Sequence, residues 1–576
     1  MIYVMNDESA TLSIDDLSAD SFANSPIHNS AFAPSAQAIN ALHQLNGTLY
    51  IAETAMHLSL APGAGHCYLG KRIDLFPECA LEFTTSGNRL IPANRNIQRP
   101  LCGESYWDII LSPGRIWAEA NDDGWSRAAF PFVLSHSMEN DAHNGLGMFF
   151  FNDDKVSQIR LQITQQTAPY LLPKRFDAWG LLKTALAPTT TANPENIQTG
   201  FEVELKGYMP ISPLASITTP DILKDCQFNP GVETAITYGL ITQDHIYASP
   251  AITRQGDYPF PQQMRHGVWS MTKSAAATLS MLRLARLYGD QVIDLRVADY
   301  VNVTSSHEGW QHLTLGDCLN MATGIGDGQL TAEPIDINAD DKHDPEVSPE
   351  DASRYRQWYE QTSAMGKVDA CLKYGNYPWG PGKVARYRDP DLYMAGVVMD
   401  AYYRSREGPE ADLWQLMLGD VYRAIGIHHL PMNRTIEDDG SAGIALMAFG
   451  LFLTLDDMAK IASLFHNGGR VGTEQLLSPG LLAAATDPLH AKGLATGDNT
   501  PDGAITYHMA FWHYPYRAQS GEVYYIPAMR GYGGNILLLL PNGMSAFRIA
   551  NDTGAKYENP CDALSFIRLA DMIQAF

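Results

Sequence analysis

The stretch Gly267-Val268-Trp269-Ser270-Met271-Thr272-Lys273-Ser274 constrains this chain most. It places Ser-x-x-Lys at the mouth of a run, 274–287 (SAAATLSMLRLARL), rich in the strong helix formers Ala, Leu, Met and Arg. Gly289 follows as a stop signal. A helix that begins near Ser270 sets Ser270 and Lys273 one turn apart on one face. The hydroxyl then stands at the positive end of the helix dipole, with a primary amine beside it. A serine is unreactive until a neighbouring base takes its proton, so the pair is a workable nucleophile and proton acceptor. An N-cap serine followed by a solvated lysine is the plainer reading, and the surroundings decide between the two.

Size allows several domains: 576 residues, 45% hydrophobic, suggest two to four with room for a large core. The net charge of -24 excludes the basic clusters of a nucleic-acid binder and disfavours anionic membranes. No apolar run is long enough for a transmembrane helix. The acidic start, MIYVMNDESATLSIDDLSADS, lacks the apolar core of a signal peptide, which leaves a cytoplasmic or a processed periplasmic or secreted chain open. The seven cysteines form no C-x-x-C pair, so neither a metal site nor a cofactor is expected. A bridge among Cys67, Cys79 and Cys102 stays open.

Residues 1–45, rich in Ser, Ala, Asn and Asp, are expected to be a flexible arm. A β-rich accessory domain and linker are expected over 46–200. There Gly147–Phe151 leads through Asn152-Asp153-Asp154 into 156–163, a hairpin pattern. Trp107, Trp117, Trp125, Phe130 and Phe132 are either core or a platform for a polymer or sugar. The tract 187–194 (APTTTANP) reads as a linker. From 201 to 576 the layout is mixed: strand candidates at 235–241 and 245–248, helices, then a hairpin about Asn542-Gly543 and a final helix over 562–576. Early and late strands with helices between them suggest an α+β sheet.

Across about 230–576 the landmarks fall in a known order: Ser270-Met271-Thr272-Lys273; Asp290 to Leu295 and Tyr300; Leu313 to Leu319 with Thr323-Gly324-Ile325; Pro381-Gly382 with Tyr387-Arg388-Asp389; Gly450-Leu451 with Thr454, Asp456, Asp457 and Ala459; and Gly531-Tyr532-Gly533-Gly534. The region resembles the serine β-lactamase and penicillin-binding-protein superfamily, in its class C-like, family VIII carboxylesterase branch. That resemblance implies an antiparallel sheet flanked by helices, behind the N-terminal β-rich domain. It implies Ser270 as a nucleophile that forms an acyl-enzyme, with Lys273 and Tyr387 as the proton-transfer pair. It implies an oxyanion hole from the backbone N–H groups of Ser270 and Tyr532, and Trp269, Asp389, Arg530 and Gly531 around substrate. The expected activity is cleavage of a small or polymeric carboxylic ester. The alternatives are a D-amino-acid peptidase, amidase or β-lactamase, and an inactive binding protein on the same fold. Oligomeric state stays open.

Two motifs depart from the family pattern. Asp389 stands where an Asn is usual; it either sets a negative charge beside Lys273 or caps the helix that Pro390 begins. The third motif lacks Lys-Thr-Gly, and Met529-Arg530-Gly531 is preferred over Tyr525-Ile526-Pro527 because it keeps the glycine. Arg530 would hold a substrate carboxylate or pair with a surface acid. In the insert 327–380, Asp336–Glu346 mimics the start of a calcium loop but lacks its Gly and Glu, so no calcium is expected. Tyr355, Trp358, Tyr359, Tyr374, Tyr377 and Trp379 read as an aromatic lid over the cleft.

Overall fold

The apolar run within Glu139–Phe151 does not alternate with polar residues, because this strand is buried on both faces. In the computed structural model, which describes residues 12–18, 23–61, 70–100, 102–188, 193–327, 349–552 and 561–576, Phe149 and Phe151 join one core and Met148 and Phe150 another. The first core lies within the N-terminal part. The second is shared with the rest of the chain, where Trp269, Met271 and Leu279 belong to it. The fold is mixed α+β.

The N-terminal sheet has eleven strands among the described residues. Its order is Thr184–Ala187, Asn46–Ile51, Cys79–Ser86, Arg89–Pro92, Gly114–Trp117, Ser126–His136, Glu139–Phe151, Ile159–Gln166, Phe176–Leu182 and His57–Leu60, with Asp108–Leu111 also on Ser126–His136. The expected hairpin is present, with Met148 opposite Arg160. Trp107, Trp117, Phe130 and Phe132 are buried and Trp125 is partly buried, so these aromatics are core and not an open platform. The expected arm is, over its described part, packed: Phe32 is buried, and the Asn29 amide donates to Thr253 and to the carbonyls of Gly256 and Asp257. Cys79 and Cys102 are free thiols, and Cys67 lies outside the described residues. So do residues 189–192 of the expected 187–194 linker.

The second sheet has nine strands in the order Ile211–Pro213, Ile246–Ala248, Ala235–Ile241, Ser545–Ala550, Asn535–Leu539, Val523–Gly531, Phe511–Arg517, Gly503–His508 and Leu494–Thr500. All its pairs are antiparallel except the first. The early strand Ala235–Ile241 lies beside the late Ser545–Ala550, as the sequence pattern suggests. Gly543, at φ +81°, supplies the left-handed backbone that the turn before Ser545 needs. The closing helix Ala563–Ile573 caps on Asp562 and buries Phe566 against Phe228. No helix among the described residues is long and apolar enough to cross a membrane.

Candidate active site

The site is built where the short strand His266–Gly267 turns into a helix. That strand pairs with Phe452–Leu453. The chain then passes through Trp269, a non-glycine residue at φ +50°. Such backbone is costly for a residue with a Cβ and persists only where its surroundings hold it. Ser270 comes next, half-buried, while Thr272 and Lys273 are fully covered. The helix runs through a π-type stretch, Lys273–Thr278, into Leu279–Tyr288, and ends at Gly289 with φ +102°. Wide turns of this kind are frequent at functional sites. Ser274 and Thr278 donate to the carbonyls of Ala510 and Met509 at 2.6 and 2.7 Å, which pins the helix to the second sheet.

Lys273 Nζ lies 2.6 Å from Ser270 Oγ. It also donates to the Ala448 carbonyl at 2.9 Å and to Asp389 Oδ1. These three acceptors match the three N–H bonds of an ammonium. Of the two readings of Asp389, the structure takes the first: its carboxylate pairs with Lys273 in a nearly dry setting. Asp389 is also the first residue of the helix Asp389–Glu407, where an anion suits the dipole, and the N-cap position itself is Arg388. Its other oxygen accepts from the Tyr355 hydroxyl at 2.8 Å. The ring of Tyr387 lies under Nζ, its centroid 4.8 Å away, and packs on Tyr507 and Trp512. Burial pushes the Tyr507 hydroxyl well above the usual phenol range.

Gly531 ends the strand Val523–Gly531 alongside this segment. A Cβ there would come within 2.1 Å of the Val268 carbonyl oxygen, so only glycine lets the two backbones approach. That contact favours the register Met529-Arg530-Gly531. Arg530 lies across Trp512, 4.2 Å from the ring centroid, and 3.9 Å from Asp498, with about a third of its side chain exposed. The ring of Tyr532 meets that of Trp269 at 5.5 Å, and burial with the nearby Glu139 carboxyl pushes its hydroxyl up to about 12.

The insert lines this site only in part. Tyr355 and Tyr359 pack around it with Phe449 and Tyr170. Trp358, Tyr374 and Tyr377 are core, and Tyr377 stacks with Trp379 under Arg386. The aromatic group is therefore not a single lid. The stretch 336–346 that mimics a calcium loop lies outside the described residues. Sequence reasoning missed three partners: Ala448, Tyr355 on Asp389, and Asn140, whose side-chain oxygen accepts the Trp269 N–H at 2.6 Å. Ala448 sits two residues before the Gly450-Leu451 landmark, which was a usable signal. Asn140 lies in another sheet, 129 residues away, and carries none.

No family model matches the chain, and no curated protein matches it. Among solved structures it is similar to a penicillin-binding protein homolog from Caulobacter crescentus, at 15% identity and TM-score 0.40 over 67% of this chain and 99% of that one. It is similar to an octameric penicillin-binding protein homologue from Pyrococcus abyssi, at 14% and 0.38 over 61% and 75%. It is also similar to a D-stereospecific amidohydrolase from Streptomyces, at 13% and 0.37 over 58% and 96%. At these identities and scores the likeness decides neither activity nor substrate.

Proposed function

We propose that this chain is a serine hydrolase that cleaves carboxylic esters through an acyl-enzyme on Ser270. The observation that carries the reading is the 2.6 Å contact between a fully buried Lys273 Nζ and a half-buried Ser270 Oγ at the start of a helix. In the proposed step Asp389 takes a proton from the Lys273 ammonium. The freed Nζ lone pair then takes the Ser270 hydroxyl proton as Oγ bonds to the substrate carbonyl carbon. Tyr387, against Lys273, completes the proton-handling group. The carbonyl oxygen, now negative, is received by the backbone N–H groups of Ser270 and Tyr532. Collapse breaks the bond to the alkoxide, which leaves as the alcohol with the proton that Nζ holds. Water then enters: the neutral Nζ takes its proton as its oxygen bonds to the acyl carbon, Ser270 Oγ leaves with that proton as the acid departs, and Asp389 returns its proton to Nζ.

Esters are favoured because Met529-Arg530-Gly531 offers no Lys or His beside its glycine. A second reading, cleavage of β-lactam or D-amino-acid amide bonds, rests on Arg530, whose partly exposed guanidinium stands next to Gly531 and could receive a carboxylate. The test is hydrolysis of p-nitrophenyl butyrate and of a chromogenic cephalosporin by wild type and Ser270→Ala. Ester turnover lost in the variant, with little cephalosporin cleavage, supports the esterase. Preferred cephalosporin cleavage makes Arg530 a carboxylate anchor. No Ser270-dependent turnover of either counts for an amidase of narrow specificity or for a binding protein on this fold.

A further inference from the structure

The hydrolase motifs all fall after residue 230, yet the segment that carries Ser270 is held from the N-terminal sheet. Asn140, on the strand Glu139–Phe151, accepts the Trp269 N–H at 2.6 Å and donates to the Leu451 carbonyl at 3.0 Å. Leu451 in turn binds both sides of the nucleophile: its carbonyl accepts from Val268 N–H at 3.2 Å and its N–H donates to the Thr272 hydroxyl at 3.2 Å. The approach is close enough that a Cβ on Gly267 would stand 1.6 Å from the Asn140 carbonyl oxygen.

A second contact comes from the turn after the next strand. The Ala168 carbonyl accepts the Trp269 indole N–H at 2.9 Å. The Ala168 methyl fills the space beside Gly533, where a Cβ would come within 2.2 Å of it. One residue thus braces both Trp269, just before Ser270, and Gly533, just after Tyr532. The Glu139 carboxylate, one residue before Asn140, accepts the N–H groups of Tyr170 and Leu171 at 3.2 and 2.7 Å and ties this turn to the same strand. Burial raises the carboxyls of Glu139 and Asp141, and the Asp141 charge raises that of Glu139 further.

An oxyanion hole works because its donors are aimed before the charge develops. Both proposed donors, the N–H groups of Ser270 and Tyr532, sit next to a residue that the N-terminal sheet holds. We propose that this sheet is part of the active site, with Asn140 a positioning residue that aims the oxyanion hole. The inference rests on the serine hydrolase reading.

The experiment compares Asn140→Ala with Asn144→Ala. Asn144 reaches from the same strand across the same interface, to the Arg265 carbonyl at 2.7 Å, and its side chain makes no hydrogen bond to residues 268–270. Each variant is assayed on an ester and on the matching thionoester, whose sulfur accepts hydrogen bonds poorly. Asn140→Ala should lower kcat on the ester about 100-fold, the effect of losing one oxyanion donor, with KM little changed. Its ester-over-thionoester preference should shrink, while that of Asn144→Ala stays at the wild-type value. If Asn140→Ala does not fold, Asn140→Leu, which keeps the volume and loses both the acceptor for Trp269 and the donor to Leu451, is read by the same ratio. An Asn140 variant with wild-type kcat and preference overturns the inference. So does a kcat loss equal in both variants with the preference unchanged, since that is a structural effect. Wild type without Ser270-dependent turnover would instead remove the hydrolase reading beneath it.

Discussion

Asp389 changes what Lys273 can do. An asparagine at this position would leave the amine without a counter-ion, whereas the carboxylate gives it one in a nearly dry site. Removing one partner of a buried ion pair strands the other charge and costs about 3–5 kcal/mol, whereas replacing both by apolar groups costs far less. Lys273→Met and Asp389→Leu should each lower the unfolding free energy by roughly that amount, and the double variant by clearly less than the sum. Denaturant titration of the four proteins reads the coupling directly, and additive losses would mean that the pair does not interact. Ser270 and Lys273 were legible in the sequence because one helical turn fixes their separation. Asp389 was half legible: the motif gave its position, but Pro390 made a helix cap an equal alternative. Tyr355 was not legible as its partner, because it comes from an insert whose docking no local pattern dictates.

At the scale of elements, two glycines separate activity from stability. Gly531 lies against the Val268 carbonyl and has no room for a side chain, whereas Gly543 has open space around it but a left-handed backbone. Gly543→Ala should cost about 1–2 kcal/mol of stability from the unfavourable φ and leave turnover per folded molecule intact. Gly531→Ala should push the strand away from the nucleophile segment and reduce turnover per folded molecule by about 100-fold, as a misplacement on the order of 1 Å does. Equal activity in the two would place Gly531 outside the site. The hairpin around Gly543 was readable, since Asn-Gly turn chemistry between two apolar runs is local, whereas the strand Val523–Gly531 was not read from the sequence. The π-type stretch Lys273–Thr278 was not, because the sequence reads simply as a good helix and the extra width is imposed by packing on Ala510 and Met509.

In the whole molecule, the two sheets share a core. Met148 and Phe150 of the first, with Leu171 from the turn after Ile159–Gln166, belong with Trp269 and Met271 of the second part, and this covers the second face of the strand Glu139–Phe151. Calorimetry should therefore give one transition for both parts, and two well-separated transitions would contradict the shared core. The β-rich character of the N-terminal part could be read from its sequence, but not its docking, since a run buried on both faces looks the same whatever covers it. The central claim is that Ser270, activated by Lys273, is the nucleophile. Its most direct test is intact-mass measurement and peptide mapping after brief exposure to a fluorophosphonate. The account predicts one label on Ser270 in wild type, none in Ser270→Ala, and strongly slowed labelling in Lys273→Ala. A label on another residue, or Lys273→Ala labelled as fast as wild type, would contradict it.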